Sequence, residues 1–309
     1  MRDFIFNNKK IFIAGHNGRM GKIILKRLKK YNCKILIPNK RIDYTRQQDV
    51  ENFIAINKPD LVILSAASVG GIKENSEKFI KFIYNNTMIQ NNIINSSYNN
   101  SVKKLVFISS SCVYPKNCKQ PMKEKDILTG LLEPTNELYS LSKIVGIKLC
   151  QAYRKEKGSN YISVIPTNLY GGEDNFSIET GHVVPALFEK FNLAIKNNIN
   201  TVEVWGSGQV YRELLHVDDF VDALILTIEK YNDYDPINIG FGSDIKIKDL
   251  ATNIAKIFNF KGRIIYNDKM PDGMKKKLLD SKKIKLLGWG PKKTLDVGLK
   301  EIYENFFNN

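Results

Sequence analysis

Ile11-Phe-Ile-Ala-Gly-His-Asn-Gly-Arg-Met-Gly21 is the stretch that decides the fold. Its first four residues predict a buried strand, and the residues from Met20 to Lys30 have the spacing of an amphipathic helix. The three glycines therefore lie between a strand and a helix, the setting in which such spacing indicates a dinucleotide site. Gly15 can form the tight turn, Gly18 lets the backbone approach a pyrophosphate, and Gly21 permits close packing of helix on strand. A glycine-rich turn without a ligand is the alternative interpretation.

Short apolar runs alternate with amphipathic stretches through the first half of the chain. Further strands are predicted at Lys34–Ile37, Leu61–Leu64, Leu105–Ile108 and Tyr161–Ile165. Helices are predicted at Asp49–Ile56, at Glu77–Tyr98 and around Tyr139. This alternation predicts an α/β fold with a doubly wound, Rossmann-type parallel sheet, because right-handed crossovers place helices on both faces. Ligands then bind at the carboxyl ends of the strands.

The rhythm changes after Gly172, where the loops lengthen and the elements become irregularly spaced. We therefore expect a nucleotide-binding domain over residues 1–172 and a smaller α/β substrate domain over 173–309, with elements around 213–240 returning to the first sheet. The elements predicted here are strands at Val202–Trp205 and Ile237–Gly240 and helices at Val217–Lys230 and Ile247–Phe258.

The composition narrows the class of protein. Four cysteines without metal-ligand spacing indicate reduced thiols and no metal site, and the N-terminus shows no export signal. No run approaches the roughly 20 apolar residues of a membrane helix, so we expect a soluble, cytoplasmic protein. The net charge of +15 is spread over the chain without a dominant basic block. We interpret it as solvated helix faces, with neither a nucleic acid nor a membrane as partner.

The end of the second predicted strand bears on the choice of dinucleotide. An acidic residue there would bind a ribose hydroxyl, whereas a basic one accommodates a 2′-phosphate. The strand is followed by Pro38-Asn-Lys-Arg41, with no carboxylate before Asp43, and Arg19 lies inside the glycine loop. Lys40 and Arg41 therefore indicate NADP(H), unless they are merely solvated turn residues. The G-x-x-G-x-x-G spacing itself favours short-chain over medium-chain folds.

Tyr139 and Lys143 stand four residues apart, on one face of a predicted helix. A nearby ammonium stabilises a phenolate, so Lys143 is expected to lower the pKa of Tyr139 toward the range useful for proton transfer. Ser110 follows a predicted strand just before this helix, and its hydroxyl can hydrogen-bond a substrate carbonyl. The spacing alone also fits an ordinary amphipathic helix, but the three residues together indicate hydride transfer to a carbonyl.

Cys112 lies two residues beyond Ser110. A buried cysteine is usually a small apolar filler. Beside a bound ketone, a thiolate could instead remove a proton α to the carbonyl. His182 is one of three histidines and could act as its acid partner.

The chain resembles the GDP-L-fucose synthase family of extended short-chain dehydrogenases/reductases along nearly its whole length. The matching blocks are Ile13–His16, Val69–Ile72, Ser110–Pro115, Leu132–Glu137, Pro166–Gly171, Asp174–Phe176, His182–Leu187, Val204–Gly208, Arg212–Asp219, Pro271–Gly273 and Lys277–Asp280. The resemblance implies NADPH-dependent epimerisation of GDP-4-keto-6-deoxy-mannose at C3 and C5, followed by reduction at C4 to GDP-L-fucose for surface polysaccharides. It also implies a homodimer built by packing long helices.

The resemblance assigns a role to each matching residue. Ser110, Tyr139 and Lys143 match the reductase triad, and Cys112 and His182 match the epimerisation base and acid. The implied nucleotide-sugar contacts are Asn168, Lys190, Trp205, Arg212, Asp272 and Lys277. The expected cofactor contacts are Gly15, Asn17, Gly18, Arg19, Met20, Gly21, Lys40, Arg41, Tyr139, Lys143, Pro166 and His182.

Three residues depart from the family pattern. Asn17 and Lys190 stand where relatives often have arginine, and Ser68 precedes Val69 where many bacterial relatives have lysine. Lysine lacks the bidentate geometry with which arginine binds phosphate. These departures leave open a C4-reductase without epimerase activity, acting on a GDP-4-keto-6-deoxy-heptose. A non-catalytic, dinucleotide-sensing protein on the same fold is a further alternative, and nucleic-acid binding is the least favoured.

Overall fold

The computed structural model describes residues 3–70, 74 and 77–308. Gly71 and Ile72 of the matching block Val69–Ile72 lie outside the described residues. No helix within these ranges combines the length and the apolar character that a membrane span requires.

The described chain forms strands and helices in alternation. The strands are β1 (Lys9–Ala14), β2 (Cys33–Leu36), β3 (Leu61–Leu64), β4 (Lys104–Ile108), β5 (Asn160–Pro166), β6 (Asn168–Tyr170), β7 (Thr201–Trp205), β8 (Tyr211–His216), β9 (Ile237–Ile239), β10 (Asp244–Lys246), β11 (Arg263–Asn267) and β12 (Lys276–Lys277). The helices are α1 (Arg19–Leu28), α2 (Gln47–Asn57), α3 (Asn86–Asn99), α4 (Glu137–Lys157), α5 (Val183–Lys196), α6 (Val217–Lys230), α7 (Ile247–Ile257), α8 (Lys282–Leu286) and α9 (Leu295–Phe306).

A six-stranded parallel sheet carries the first half of the fold, in the order β2-β1-β3-β4-β5-β9. The chain places β2 on one side of β1 and then places β3, β4 and β5 in turn on the other side. The gap between β1 and β3 is therefore the switch point of a doubly wound fold. The predicted fold class is therefore confirmed.

The sheet is buried on both faces, and β1 shows how its side chains divide between them. Ile11 and Ile13 pack on the face covered by α1 and α6. Phe12 and Ala14 pack on the opposite face, against α2, α3 and α4. This alternation follows from the two-residue period of a strand. It also explains why the strands are continuous apolar runs, as expected for a parallel sheet covered by helices.

The remaining strands form two smaller sheets. β8 pairs with β10 antiparallel and with β12 and β6 in parallel, while β11 pairs with β7 in parallel. A third core cluster joins α5, α7 and α9 to β7 and β8. Within 213–240, α6 and β9 pack in the first sheet's layers, whereas β8 belongs to the second sheet. The domain boundary near residue 172 stays a prediction.

Most predicted elements occur within two or three residues of their expected bounds, and Leu61–Leu64 and Val217–Lys230 match in full. The predicted helix over 77–98 differs, because a π-helical turn over Lys81–Asn85 precedes α3. This turn buries Phe82, whose ring meets the Tyr139 ring edge-on with 6.1 Å between the centroids. The elements β6, β8, β10–β12, α5, α8 and α9 were not predicted.

The C-terminal helix is anchored through an internal ion network. The Lys293 ammonium lies 2.9 Å from Asp218 Oδ2 and 2.6 Å from Glu301 Oε2. His216, Asp218 and Glu301 bring ligand-type atoms within 4.8 Å of one another. Because the lysine ammonium already bonds both carboxylates, we interpret the group as a tether between α6 and α9.

The buried carboxylate of Glu213, in β8, fastens two later segments to the second sheet. It accepts hydrogen bonds from Gly242 N at 2.7 Å and Leu279 N at 2.9 Å. The residue is fully buried, and burial raises the pKa of its carboxyl group. Removing the Glu213 side chain would leave both backbone donors without a partner and would leave an empty volume in the core.

We expect Glu213→Ala to lower the free energy of unfolding by about 3 kcal/mol, because buried donors without partners and an unfilled volume both destabilise. Urea unfolding followed by circular dichroism measures this. The exposed Glu304, in α9, is the matched control, and E304A should change stability by less than about 0.5 kcal/mol. Equal unfolding midpoints for the two variants would contradict the structural role of Glu213.

Candidate active site

A cavity of about 790 Å³ opens at the carboxyl ends of β1, β3, β4 and β5. This is the position where ligands bind in doubly wound sheets. The cavity extends from the glycine loop to residues of β7, β8 and β12. The expected site residues that line it are Gly15, Gly18, Arg19, Met20, Gly21, Ser110, Cys112, Tyr139, Lys143, Pro166, Asn168, His182, Lys190, Trp205, Arg212, Asp272 and Lys277.

The glycine loop is shaped by close backbone contacts. Gly15 has a φ of +94°, and a Cβ there would lie 2.8 Å from the backbone of Ala66. A Cβ on Gly21 would lie 2.1 Å from the Gly15 carbonyl oxygen. Gly18 precedes α1 without capping it through a side chain, and no acidic residue follows in the first turn. The positive end of α1 therefore faces the cavity, as an anion such as a pyrophosphate requires.

The remaining expected cofactor residues lie outside the cavity wall. Asn17, Lys40 and Arg41 are exposed, and none of them lines the cavity. Tyr44, which sequence reasoning missed, does line it, and its hydroxyl accepts a hydrogen bond from Gly15 N at 3.4 Å. No motif marks this tyrosine, because the fold of the loop after β2 brings it to the glycines.

Lys143 lies on α4, one turn beyond Tyr139, beneath the end of β4. Its ammonium donates to the Ile108 carbonyl at 3.0 Å and lies 4.9 Å from the centre of the Phe107 ring. Burial lowers the pKa of Lys143 to about 8. The contacts with Ile108 and Phe107 fix the Lys143 side chain against the end of β4.

The Tyr139 phenol does not have the expected lowered pKa. Burial raises its pKa, the charge of Cys112 adds to the increase, and a hydrogen bond with Ser110 opposes it. The expectation that Lys143 lowers the pKa is therefore wrong, since desolvation dominates and the Lys143 ammonium, 5.9 Å from the tyrosine ring, is not among the groups that lower it. A protonated phenol bonded to Ser110 is suited to donate a proton to an oxygen that gains charge.

The Cys112 thiol lies in a short 3₁₀ turn, Ser111–Val113, directly after β4. Its sulfur accepts hydrogen bonds from Asn136 Nδ2 at 3.4 Å and from Lys277 Nζ at 3.5 Å. Two donors, one of them a cation, therefore point at the sulfur that the resemblance assigns as the epimerisation base. Asn136 was not predicted as a site residue, although it stands within the matching block Leu132–Glu137.

His182 precedes α5 and occupies its N-cap position. The His182 ring lines the cavity, so solvent reaches it from that side, and protein encloses its other sides. This enclosure lowers the pKa of His182, and the charges of Arg19 and Lys277 lower it further, whereas Asp174 raises it. Asp174 is therefore the charged neighbour that favours the protonated form of His182.

Arg212 and Asp272 organise the far wall of the cavity. The Arg212 guanidinium donates to the carbonyls of Tyr211, Met274 and Asp272 at 2.7, 2.6 and 2.8 Å. The Asp272 carboxylate in turn accepts from Ser207 N at 2.8 Å and Ser207 Oγ at 2.7 Å. These contacts hold the loop after β11 against β8.

Trp205 and Lys190 form a flat, cationic part of the same wall. The Lys190 ammonium lies 4.7 Å from the Trp205 ring centroid and donates to the Glu203 carbonyl at 2.8 Å. An aromatic face beside a cation can hold a base and its phosphates. Asn168 donates to the Glu213 carbonyl at 2.9 Å and also lines the cavity.

A family model described as the NAD dependent epimerase/dehydratase family matches residues 11–240. A protein of Sinorhizobium fredii named GDP-L-fucose synthase is 43% identical over 307 residues, covering 99% of this chain and 98% of that protein.

Two solved structures from Campylobacter jejuni share the whole fold. A GDP-6-OMe-4-keto-L-xylo-heptose reductase is 34% identical with a TM-score of 0.90, covering 98% of this chain and 99% of that one. A GDP-mannoheptose C4 reductase with NADP bound is 34% identical with a TM-score of 0.88, over the same shares of the two chains. The chain belongs to the GDP-L-fucose synthase family, within the NAD-dependent epimerases and dehydratases, as its motifs indicated.

Proposed function

We propose that this chain is an NADPH-dependent 3,5-epimerase/4-reductase that converts GDP-4-keto-6-deoxy-mannose to GDP-L-fucose. The observation that carries the proposal is the Cys112 thiol, which contacts Asn136 and Lys277 in the cavity that also holds Tyr139 and Lys143. A reductase alone needs no base beside its ketone. The names of the relatives, including the fucose synthase 43% identical to this chain, support the GDP-sugar.

The glycine loop supports NADP(H) as the cofactor. Gly15 and Gly21 allow the close approach of α1 to β1 and line the cavity, and α1 directs its uncapped N-terminus at that cavity. Arg19 is the basic residue of this loop that lines the cavity, and a related reductase binds NADP. When bound, NADPH supplies the hydride for the C4 carbon.

Cys112 and His182 would carry out the epimerisation. The Cys112 thiolate removes the proton at C3 or C5, and the electron pair moves into an enolate on the C4 oxygen. His182 then returns a proton to the opposite face, which inverts the carbon centre. The Lys277 ammonium lies 3.5 Å from the Cys112 sulfur, where it can pair with it. Exchange with water restores the starting protonation of Cys112 and His182.

Ser110, Tyr139 and Lys143 would complete the reduction. Ser110 and Tyr139 hydrogen-bond the C4 oxygen, and Tyr139 gives it a proton as hydride arrives at the carbon. The raised pKa of Tyr139 keeps the phenol protonated until that moment. Lys143 lies where it can bind the nicotinamide ribose from the end of β4.

The alternative is a C4-reductase without epimerase activity that acts on a GDP-4-keto-6-deoxy-heptose. It is supported by two heptose reductases with TM-scores of 0.90 and 0.88. Assaying the hexose and heptose ketones side by side separates the two. Faster turnover of the heptose, with product stereochemistry unchanged at C3 and C5, would favour the alternative.

We also propose a cytoplasmic homodimer that supplies a sugar for surface polysaccharides. The face near α3 and α4 exposes Phe79, Ile80, Tyr84 and Val145, which are apolar enough to pack against a second copy. Light scattering on the purified chain should give twice its mass of 35.3 kDa. Tyr84→Arg should shift the measured mass toward that of a monomer. A monomeric mass for the wild-type chain would contradict the proposal.

Cys112→Ser should abolish deuterium incorporation at C3 and C5 in deuterated water, because a hydroxyl is too weak an acid to replace the thiol base. Some C4 reduction of the keto-sugar should persist. NMR of the product and NADPH absorbance measure the two activities separately. The buried Cys150, which does not line the cavity, is the matched control, and C150S should retain exchange. Absence of deuterium with the wild-type enzyme would eliminate the epimerase assignment.

Tyr139→Phe should produce the opposite separation. Loss of the proton donor should slow NADPH oxidation by about 10³-fold, within the range typical of general-acid catalysis, while exchange at C3 and C5 continues. Tyr234→Phe removes an exposed phenol outside the cavity and should leave both rates unchanged. NADPH oxidation at the full rate in the Tyr139 variant would remove the role assigned to this residue.

A further inference from the structure

An ion pair joins the glycine loop to the segment that carries His182. Arg19, the first residue of α1, pairs through Nη1 with Asp174 Oδ1. The Asp174 side chain is 3% exposed, whereas the Arg19 side chain is 23% exposed and lines the cavity. Arg19 thus has one side toward the expected pyrophosphate and the other toward a buried carboxylate.

The loop over 172–181 is held compactly against α1. A Cβ on Gly172 would lie 2.9 Å from Ile23 Cδ1, and Gly181 N donates to the Ser177 carbonyl at 2.9 Å. Asp174 Oδ1 also accepts from Asn175 N at 2.9 Å, while Oδ2 is buried without a hydrogen-bond donor among the described residues. The carboxylate therefore has acceptor capacity that its own loop does not use.

We propose that Asp174 is a positioning residue, which competes with the cofactor phosphates for Arg19 and thereby couples cofactor binding to proton transfer by His182. The inference rests on the proposed function, because it needs NADP(H) in the glycine loop and His182 as the acid. A bound phosphate draws the guanidinium away from Asp174. The carboxylate that remains then favours the protonated form of His182.

The charges around His182 agree with this coupling. The groups that face it are Arg19 from α1, Asp174 from its own loop and Lys277 from β12, and Glu179 lines the same cavity. Both cations disfavour the protonated ring and Asp174 favours it. Neutralising Arg19 with phosphate removes one of the two opposing cations, so the enzyme would gain its acid when the cofactor is in place.

The coupling is reciprocal, so removing Asp174 must change cofactor affinity. Asp174→Asn should tighten NADPH binding by about threefold or more, because Arg19 no longer has a competing carboxylate. Arg19→Met should weaken binding, and the gain from D174N should vanish in the R19M background. Fluorescence titration with NADPH at fixed ionic strength measures all four dissociation constants.

Glu173 provides the matched control. It lies one residue before Asp174 and pairs at 2.5 Å with Lys22 of α1, the helix that carries Arg19. Both of these side chains are largely exposed. E173Q should leave NADPH affinity unchanged. A dissociation constant for D174N equal to that of E173Q, or a gain that persists in R19M, would overturn the competition for Arg19.

The pH dependence of deuterium exchange tests the link to His182. Asp174 raises the pKa of His182, so in D174N the histidine loses its proton at lower pH and the alkaline limb of the profile moves down. Arg19 lowers that pKa, so R19M should move the same limb up. If D174N loses its native circular dichroism, R19M alone decides: an unshifted profile and unchanged NADPH affinity would refute the proposal.

The two proposals fail in different ways. If the wild-type chain neither exchanges nor reduces a GDP-4-keto-sugar, the proposed function fails although NADPH titrations still report on Arg19 and Asp174. If exchange and reduction occur but D174N, R19M and E173Q behave alike, the function stands and the coupling is refuted.

Discussion

The close approach of α1 to β1 is the constraint on which the site depends. A Cβ at Gly21 would lie 2.1 Å from the Gly15 oxygen, and a Cβ at Gly15 would lie 2.8 Å from the backbone of Ala66. Any side chain at these positions would push α1 away from the sheet. The helix N-terminus would then no longer face the cavity, and Arg19 would no longer reach Asp174.

From that contact the rest of the site follows by packing. β3 and β4 lie beside β1 in the sheet, so the carboxyl ends of these strands bring Ala66 and Ser110 to the same edge. α4 crosses beneath and delivers Tyr139 and Lys143. The second sheet closes the cavity because Glu213 and Arg212 of β8 bind the backbone of the segments that carry Lys277 and Asp272. The chemistry thus combines residues held by two different sheets.

Sequence reasoning succeeded where a local pattern decides the structure. Leu61–Leu64 is apolar at every position because both faces of a parallel sheet are covered, and the structure buries all four residues. It failed for β10 and β12, two short strands that are only partly buried and that pair with β8 from distant parts of the chain. It also gave the wrong direction for the pKa of Tyr139, because desolvation depends on neighbours such as Phe82 that no local spacing reveals.

The sequence by itself determined the doubly wound sheet, the glycine loop and the family, because strand and helix periods and ordered motifs are local properties of the chain. Only the tertiary structure decided that Asn136 and Lys277 contact the Cys112 sulfur, that Tyr44 reaches Gly15 and that Asp174 pairs with Arg19. Asp174 and Arg19 are 155 positions apart in the printed sequence. Such contacts arise from the packing of separate elements, and packing depends on the whole fold at once.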